Sequence, residues 1–244
     1  MLVSTPGIVI HRIKYADTST IVKIYTVRFG IQSYIINGIR SSKSKIKIGF
    51  FQPLSLLELV VYHKNTSGLH RIKDCKIAHP LHSIYADLSK NSIALFISEI
   101  LYKSLKEENP NPILFNFLNH FILSLEFEEK YFFNFHLQFL AEYSRHLGFY
   151  PQLPNSFSSS YFDLKQGCFS MTKPEHAYFL SKELSKLIYE LFSVSNNFSQ
   201  APSLTTHERR ALIYTFINYY ELHLPWFHDI KSHQVLEQLS QNNL

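Results

Sequence analysis

The chain is 244 residues long, 45% hydrophobic and 15% aromatic, enough to fill one large core or two ordinary ones, so a disordered chain is excluded. Its formal charge of +5 and pI near 9.0 are too mild as totals to name a partner. Its two cysteines, Cys75 and Cys168, lie far apart with no CxxC or Cys/His zinc spacing, which excludes a disulfide framework and fits a reducing compartment.

The charge is unevenly placed. Residues 1–80 hold twelve Lys and Arg against three acids, Asp17, Glu58 and Asp74, a net of +9; residues 81–244 hold twelve basic and sixteen acidic residues, a net of −4. So basic a segment repels itself unless a polyanion or counterions neutralise it, and nucleic acid is the partner it points to. Met1 to Lys14 has no apolar run of signal-peptide length, and the most hydrophobic window, Leu54 to Tyr62, is interrupted by Glu58. A cytoplasmic chain with no membrane span is expected.

From Gly7 to about Ala78 the apolar runs are short: Gly7-Ile-Val-Ile10, Ile21 to Tyr25, Ile31 to Ile36, Leu56 to Tyr62 and Gly68 to Lys73. Turn formers such as Gly30, Asn37-Gly38 and Asn65-Thr-Ser-Gly68 separate them, and no window suits a ten-residue amphipathic helix. Five strands in seventy-odd residues imply a small closed sheet; an oligonucleotide-binding (OB) barrel and an SH3-like barrel both suit that number.

Ala78-His-Pro-Leu-His-Ser83 ends the strand pattern, dividing a barrel domain, 1–80, from a helical domain, 81–244. Helical spacing then runs through Ile93 to Leu105, Leu114 to Leu125, and Phe132 to Leu147, where Gly148 suits a helix C-terminus. Residues 151–171 break the rhythm with Pro151, Pro154 and a Ser-rich run, and Tyr161-Phe-Asp-Leu with Cys168-Phe-Ser suggests a small hairpin. Further helices follow at Leu180 to Leu191, at Leu212 to Tyr220 behind a Thr205/Glu208 capping box, and after Ser232. The fold class is α+β: a five-stranded barrel followed by an all-α region.

Gly38-Ile-Arg40-Ser-Ser-Lys43-Ser-Lys45-Ile-Lys47 packs four cations and no acid into ten residues, the pattern of a loop that follows a phosphate backbone without reading bases. Arg12 and Lys14, Arg28, and Arg71 and Lys73 extend this surface if they converge. Residues two apart on a strand share a face, so 12 with 14, 43 with 45 and 47, and 71 with 73 are each expected to project together. Tyr25, Phe29, Tyr34 and Phe51 are candidate stacking rings, although such residues are more often core.

His223, His228 and His233 stand five apart, out of register for shared helical metal ligands, and Pro225 interrupts them. GxSxG, Walker and dinucleotide motifs are absent, so no catalytic residue, metal or cofactor is assigned and an enzyme is not expected.

Several segments in order resemble the RecO family: Gly7-Ile-Val-Ile10 with Tyr15-Ala-Asp-Thr-Ser19, Gly38-Ile-Arg-Ser-Ser-Lys-Ser44, Phe51-Gln-Pro-Leu54 and Gly68-Leu-His-Arg-Ile-Lys73. Downstream, Leu147-Gly-Phe-Tyr-Pro151, Tyr161-Phe-Asp-Leu-Lys-Gln-Gly167, Tyr219-Tyr-Glu-Leu-His-Leu-Pro225 and Ile230-Lys-Ser232 continue it over nearly the whole chain. The resemblance implies an OB-fold domain and a helical domain in a mediator that binds single- and double-stranded DNA and anneals complementary strands. It implies partnership with RecR, in many bacteria RecF, and with the acidic tail of single-stranded DNA-binding protein so that RecA is loaded; Arg145 on the third helix is the residue it suggests for that tail. Many members carry a four-cysteine zinc site after the Gly-Phe-Tyr-Pro segment. Here that region has Cys168 alone, so zinc is not expected and packing of Tyr161, Phe162 and Phe169 is expected to hold the hairpin. The charge pattern by itself equally permits an RNA-binding barrel or a protein-interaction scaffold.

Overall fold

The computed structural model of the chain describes residues 1–15, 19–37, 46–63, 68–106, 108–130, 132–194 and 202–241, the last three as backbone alone. The chain packs as two compact units, 1–127 and 128–244.

In the first unit five strands, β1 (Leu2–Lys14), β2 (Thr20–Thr26), β3 (Gly30–Ile36), β4 (Leu56–Tyr62) and β5 (Leu69–His79), close into a barrel of order β1-β2-β3-β5-β4. All pairings are antiparallel except β3 with β5, which run parallel over Ser33–Ile35 and Leu69–Arg71. This is the OB topology, which settles the choice that the strand count alone left open.

β1 is long because it serves two neighbours: Leu2 to Ile8 pair with β4, and Gly7 onward with β2. Gly7 sits where both meet, and a Cβ there would lie 2.7 Å from Ile24 and 2.8 Å from Leu59, so only glycine fits. The barrel core is Val9, Val22, Ile24, Tyr34, Phe51, Leu57, Leu59, Val61 and Cys75.

Ile8, Ile10, Tyr25 and Ile31 are buried too, but outside that core. They lie on the outer side, against which helices follow in the same unit: α1 (His82–Ala86), α2 (Leu88–Ser104) and α3 (Pro112–Phe127). Tyr25 lies against Phe115 of α3 and donates its hydroxyl to the Asn111 carbonyl, and Ser98 of α2 donates to the Ile10 carbonyl. These helices pack with the barrel, so the compact unit runs to 127, past the change from strand to helix at 80/81.

α1 is missing from the periodicity reading because it is only one turn long. It is held from below: both carboxylate oxygens of Glu126 accept from the Ser83 and Ile84 amides, and buried Lys90 donates to Ser83 Oγ and the Glu126 carbonyl. α2 starts earlier than its apolar spacing implies, since the Asp87 side chain caps it by accepting from Lys90 N.

The second unit contains α4 (Phe135–His146), the hairpin β6 (Tyr161–Asp163) and β7 (Cys168–Ser170), α5 (Lys182–Ser193), α6 (Thr206–His223) and α7 (His233–Gln241). The expected capping box at Thr205 and Glu208 opens α6, and Gly148, with φ +85°, follows the end of α4. Phe162 and Phe169, paired across the hairpin, share the face that meets Tyr189, Phe192 and Tyr219, while Tyr161 packs on Phe179. The Asp163 carboxylate ties the turn by accepting from Lys165 N and Gln166 N. Among the described residues no group of three or more His, Cys, Asp or Glu is placed to hold a metal ion, and Cys168 alone does not fit a zinc site. No described helix is long and apolar enough to cross a membrane.

Candidate nucleic-acid interface

Strand register decides which barrel cations meet. Arg12 pairs with Val22 and Lys14 with Thr20, so the two share a face, as their spacing predicts. That face is the barrel interior, yet both side chains are exposed, because they stand at the rim where β1 ends. Arg12 donates across that rim to the Ile48 carbonyl, next to Lys47. Arg12, Lys14 and Lys47 therefore gather at one end of the barrel.

Arg40, Lys43 and Lys45 belong to the connection leading into Lys47, and they lie outside the described residues. Arg28 does not join this group: it sits in the β2–β3 turn, at the opposite end of β2 from Thr20.

Arg71 and Lys73 are both exposed, but alternation does not unite them. Val61 pairs with Ile72 and Val60 with Asp74, so Lys73 is the extra residue of a β-bulge, which resets the alternation between them. Ile72 and Cys75, three apart, both face inward as a result. Arg71 lies on the outer side in a row of paired residues, Ile13, Ile21, Ile35, Arg71 and Tyr62.

Arg12, Lys14, Arg28, Arg71 and Lys73 have no ion-pair partner among the described residues. The Asp74 carboxylate is engaged locally by the Cys75 amide. A cation without a carboxylate partner near low-dielectric surface keeps its full attraction for an incoming phosphate.

The stacking candidates fare differently. Tyr25, Tyr34 and Phe51 are buried, and Phe29 has one face on His63, with ring centroids 3.8 Å apart. The exposed rings on this unit include Tyr15, at 62% exposure, and Tyr62, at 48% beside Arg71. Sequence reasoning missed Tyr62, yet alternation along β4 carries the signal: Leu57, Leu59 and Val61 point in, so Tyr62 points out. Cys75 is no nucleophile, since burial and the neighbouring Asp74 push its thiol up to about 12.

In the second unit Arg145 ends α4, paired with Glu142 at 3.2 Å and lying 3.6 Å over the Tyr150 ring. That arrangement leaves the guanidinium about half exposed and fixes its plane. The three histidines read as non-ligands stay apart in their roles: His223 contacts the Leu164 carbonyl and His233 packs on Tyr214.

An OB barrel with a carboxylate-poor, cationic end has the build of a nucleic-acid-binding protein. Family comparison is more specific. The Recombination protein O N terminal model matches residues 1–81, and the Recombination protein O C terminal model matches residues 85–232. The chain is 39% identical to the DNA repair protein RecO of Phocaeicola vulgatus over 239 residues, covering 98% of this chain and 99% of that protein. It is 39% identical to the RecO of Flavobacterium psychrophilum over 241 residues and 38% identical to that of Bacteroides fragilis over 240, with the same coverage. The chain belongs to the RecO family of DNA repair proteins.

Proposed function

We propose that the chain is a recombination mediator, without catalytic activity of its own, that binds single- and double-stranded DNA and anneals complementary strands. The observation that carries this reading is the cationic end of the barrel at Arg12, Lys14 and Lys47, continued in sequence by Arg40, Lys43 and Lys45. Arg28, Arg71 and Lys73 supply further phosphate contacts on other sides. The mechanism is electrostatic: phosphates of two strands are neutralised at one surface, which removes the repulsion that slows pairing. Binding is then largely independent of sequence.

In the cell this reading places the chain in the cytoplasm, at the nucleoid during repair. It works there with RecR, and RecF where present, and engages the acidic tail of single-stranded DNA-binding protein so that RecA loads. Arg145, half exposed and oriented by Tyr150, is the residue proposed for that tail.

The test is a fluorescence annealing assay on strands coated with the cognate single-stranded DNA-binding protein, run with the wild-type chain and with Arg40, Lys43, Lys45 and Lys47 all replaced by Ala. The variant is expected to lose binding and annealing with its thermal unfolding nearly unchanged. Equal annealing by both proteins refutes the reading. Matched RNA outcompeting single-stranded DNA would favour an RNA-binding barrel, and absence of DNA binding with retained capture of RecR would favour a scaffold.

A further inference from the structure

At the junction of β1, β2 and α2 a group of polar side chains meets on one aromatic ring. His11 and Lys23 are paired across the β1–β2 ladder, just beyond the bulge at Ile10. The His11 imidazole lies on the ring of Tyr102 from α2, with centroids 4.1 Å apart and planes 26° apart, and Lys23 Nζ stands 5.1 Å from the same ring. Lys106, just past the end of α2, adds its charge to that of Lys23.

This is a crowded set of cations for a partly buried place. Burial first, then the Lys106 ammonium, lowers the Lys23 pKa from its ordinary value, with Glu108 acting the other way. Burial first, then Lys23, lowers that of His11, with Glu99 opposing. In each case the opposing carboxylate acts more weakly than the neighbouring ammonium, so the positive charge is compensated only in part. Among the described residues neither ammonium is ion-paired, and the His11 ring nitrogens have no hydrogen-bond partner. Like charges held together without a neutralising partner are favourable ground for an anion.

We propose that this junction is a phosphate site for single-stranded DNA, in which Lys23 and Lys106 hold one backbone phosphate and His11 joins them on taking up a proton. The proposal rests on the DNA-binding reading above and gives it a location across the two matched family regions, since His11 and Lys23 come from the first and Tyr102 and Lys106 from the second. Lys23 pairs with Ser33, and Ser33 with Leu69 beside Arg71, so a backbone leaving the site along the barrel meets the Ser33 hydroxyl and then Arg71. Two ladder spacings, about 10 Å, separate Lys23 from that strand.

A phosphate favours the imidazolium, so the complex takes up a proton and affinity rises as pH falls. Among the described residues, Lys23 from β2 and Glu99 and Tyr102 from α2 face His11, Lys106 and Glu108 after α2 act on Lys23, and Arg12 is the next residue of β1. Histidine is the type among them whose ordinary value falls between pH 5 and 8.

The full-length chain is titrated with fluorescein-labelled oligothymidylate at pH 6 and pH 8 at constant ionic strength. Lys23→Gln and Lys106→Gln are each expected to weaken binding about fivefold at 0.1 M salt, the effect of one fewer neutralised phosphate on a single strand. Lys23→Arg is expected to restore it. His11→Gln is expected to keep the affinity at pH 8 and to lower the ratio of affinities between pH 6 and pH 8. Wild-type affinity in both lysine variants, alongside weakened binding by Arg12→Ala/Lys14→Ala/Lys47→Ala, overturns this site and leaves the DNA-binding reading standing. An unchanged pH ratio in His11→Gln overturns the proton uptake. No binding of DNA by the wild-type chain overturns the reading and the site together.

Discussion

The Ser98 hydroxyl donates to the carbonyl of Ile10, the residue that the β1 bulge leaves without a partner in β2. Helix α2 thus supplies what the strand ladder cannot, at a buried position. Ser98→Ala strands that carbonyl away from water and is expected to destabilise the chain by about 1–3 kcal/mol. Urea unfolding checks this: the midpoint should fall and the m-value stay the same. An unchanged midpoint would show that the bulge carbonyl finds another donor.

Salt dependence tests the cationic rim. If about six phosphates are neutralised, affinity for duplex DNA should fall roughly a thousandfold between 50 and 200 mM salt. On single strands each phosphate that the protein no longer neutralises flattens the log–log slope by about 0.7, so Arg12→Ala/Lys14→Ala/Lys47→Ala should flatten it by about two units. A slope equal to that of the wild-type chain would place the DNA elsewhere on the molecule.

Gly167 closes the β6–β7 turn at φ +62°, and a Cβ there would lie 2.7 Å from Tyr219 Oη. That hydroxyl donates to the Phe149 carbonyl at 2.6 Å and has little freedom to retreat. Gly167→Ala adds left-handed strain of about 1 kcal/mol or more to the displaced hydroxyl. Thermal unfolding should shift down by several degrees, while Gln166→Ala, on the exposed neighbour, should leave it in place.

His136 of α4 is fully buried, and burial together with Arg209 pushes its pKa down to about 3. The unfolded chain holds this histidine at its ordinary value of about 6.5 and so binds more protons between the two values. Stability from keeping His136 neutral is therefore complete above about pH 6.5 and is lost as pH falls toward about 3. Chemical unfolding measured across this window should show a steeper acid loss in the wild-type chain than in His136→Gln, by about one proton. Parallel curves would refute the assignment.

The barrel was legible because its apolar runs are short and separated by turn formers, and its inward residues alternate along β4. The helices showed through their spacing, except α1, whose single turn is too short for a period and depends on Glu126, over forty residues away. The site was legible as composition more than as geometry. Spacing correctly placed Arg12 with Lys14, but not Arg71 with Lys73, because a bulge has no signature in the run Arg71-Ile-Lys-Asp74. Tyr25 reads locally as an outward ring on a strand, yet helix α3, ninety residues on, covers it. The meeting of His11 with Tyr102 is hidden for the same reason: only the folded chain brings them to 4.1 Å.

Because α2 reaches Ile10 and α3 covers Tyr25 on the barrel's outer side, the barrel is no free-standing cassette. Truncation after residue 80 would bare an oily flank, and such a fragment should self-associate on a sizing column, whereas one ending at 127 should elute as a single discrete species. Grafting experiments that move the barrel's cationic end need to carry the first three helices along.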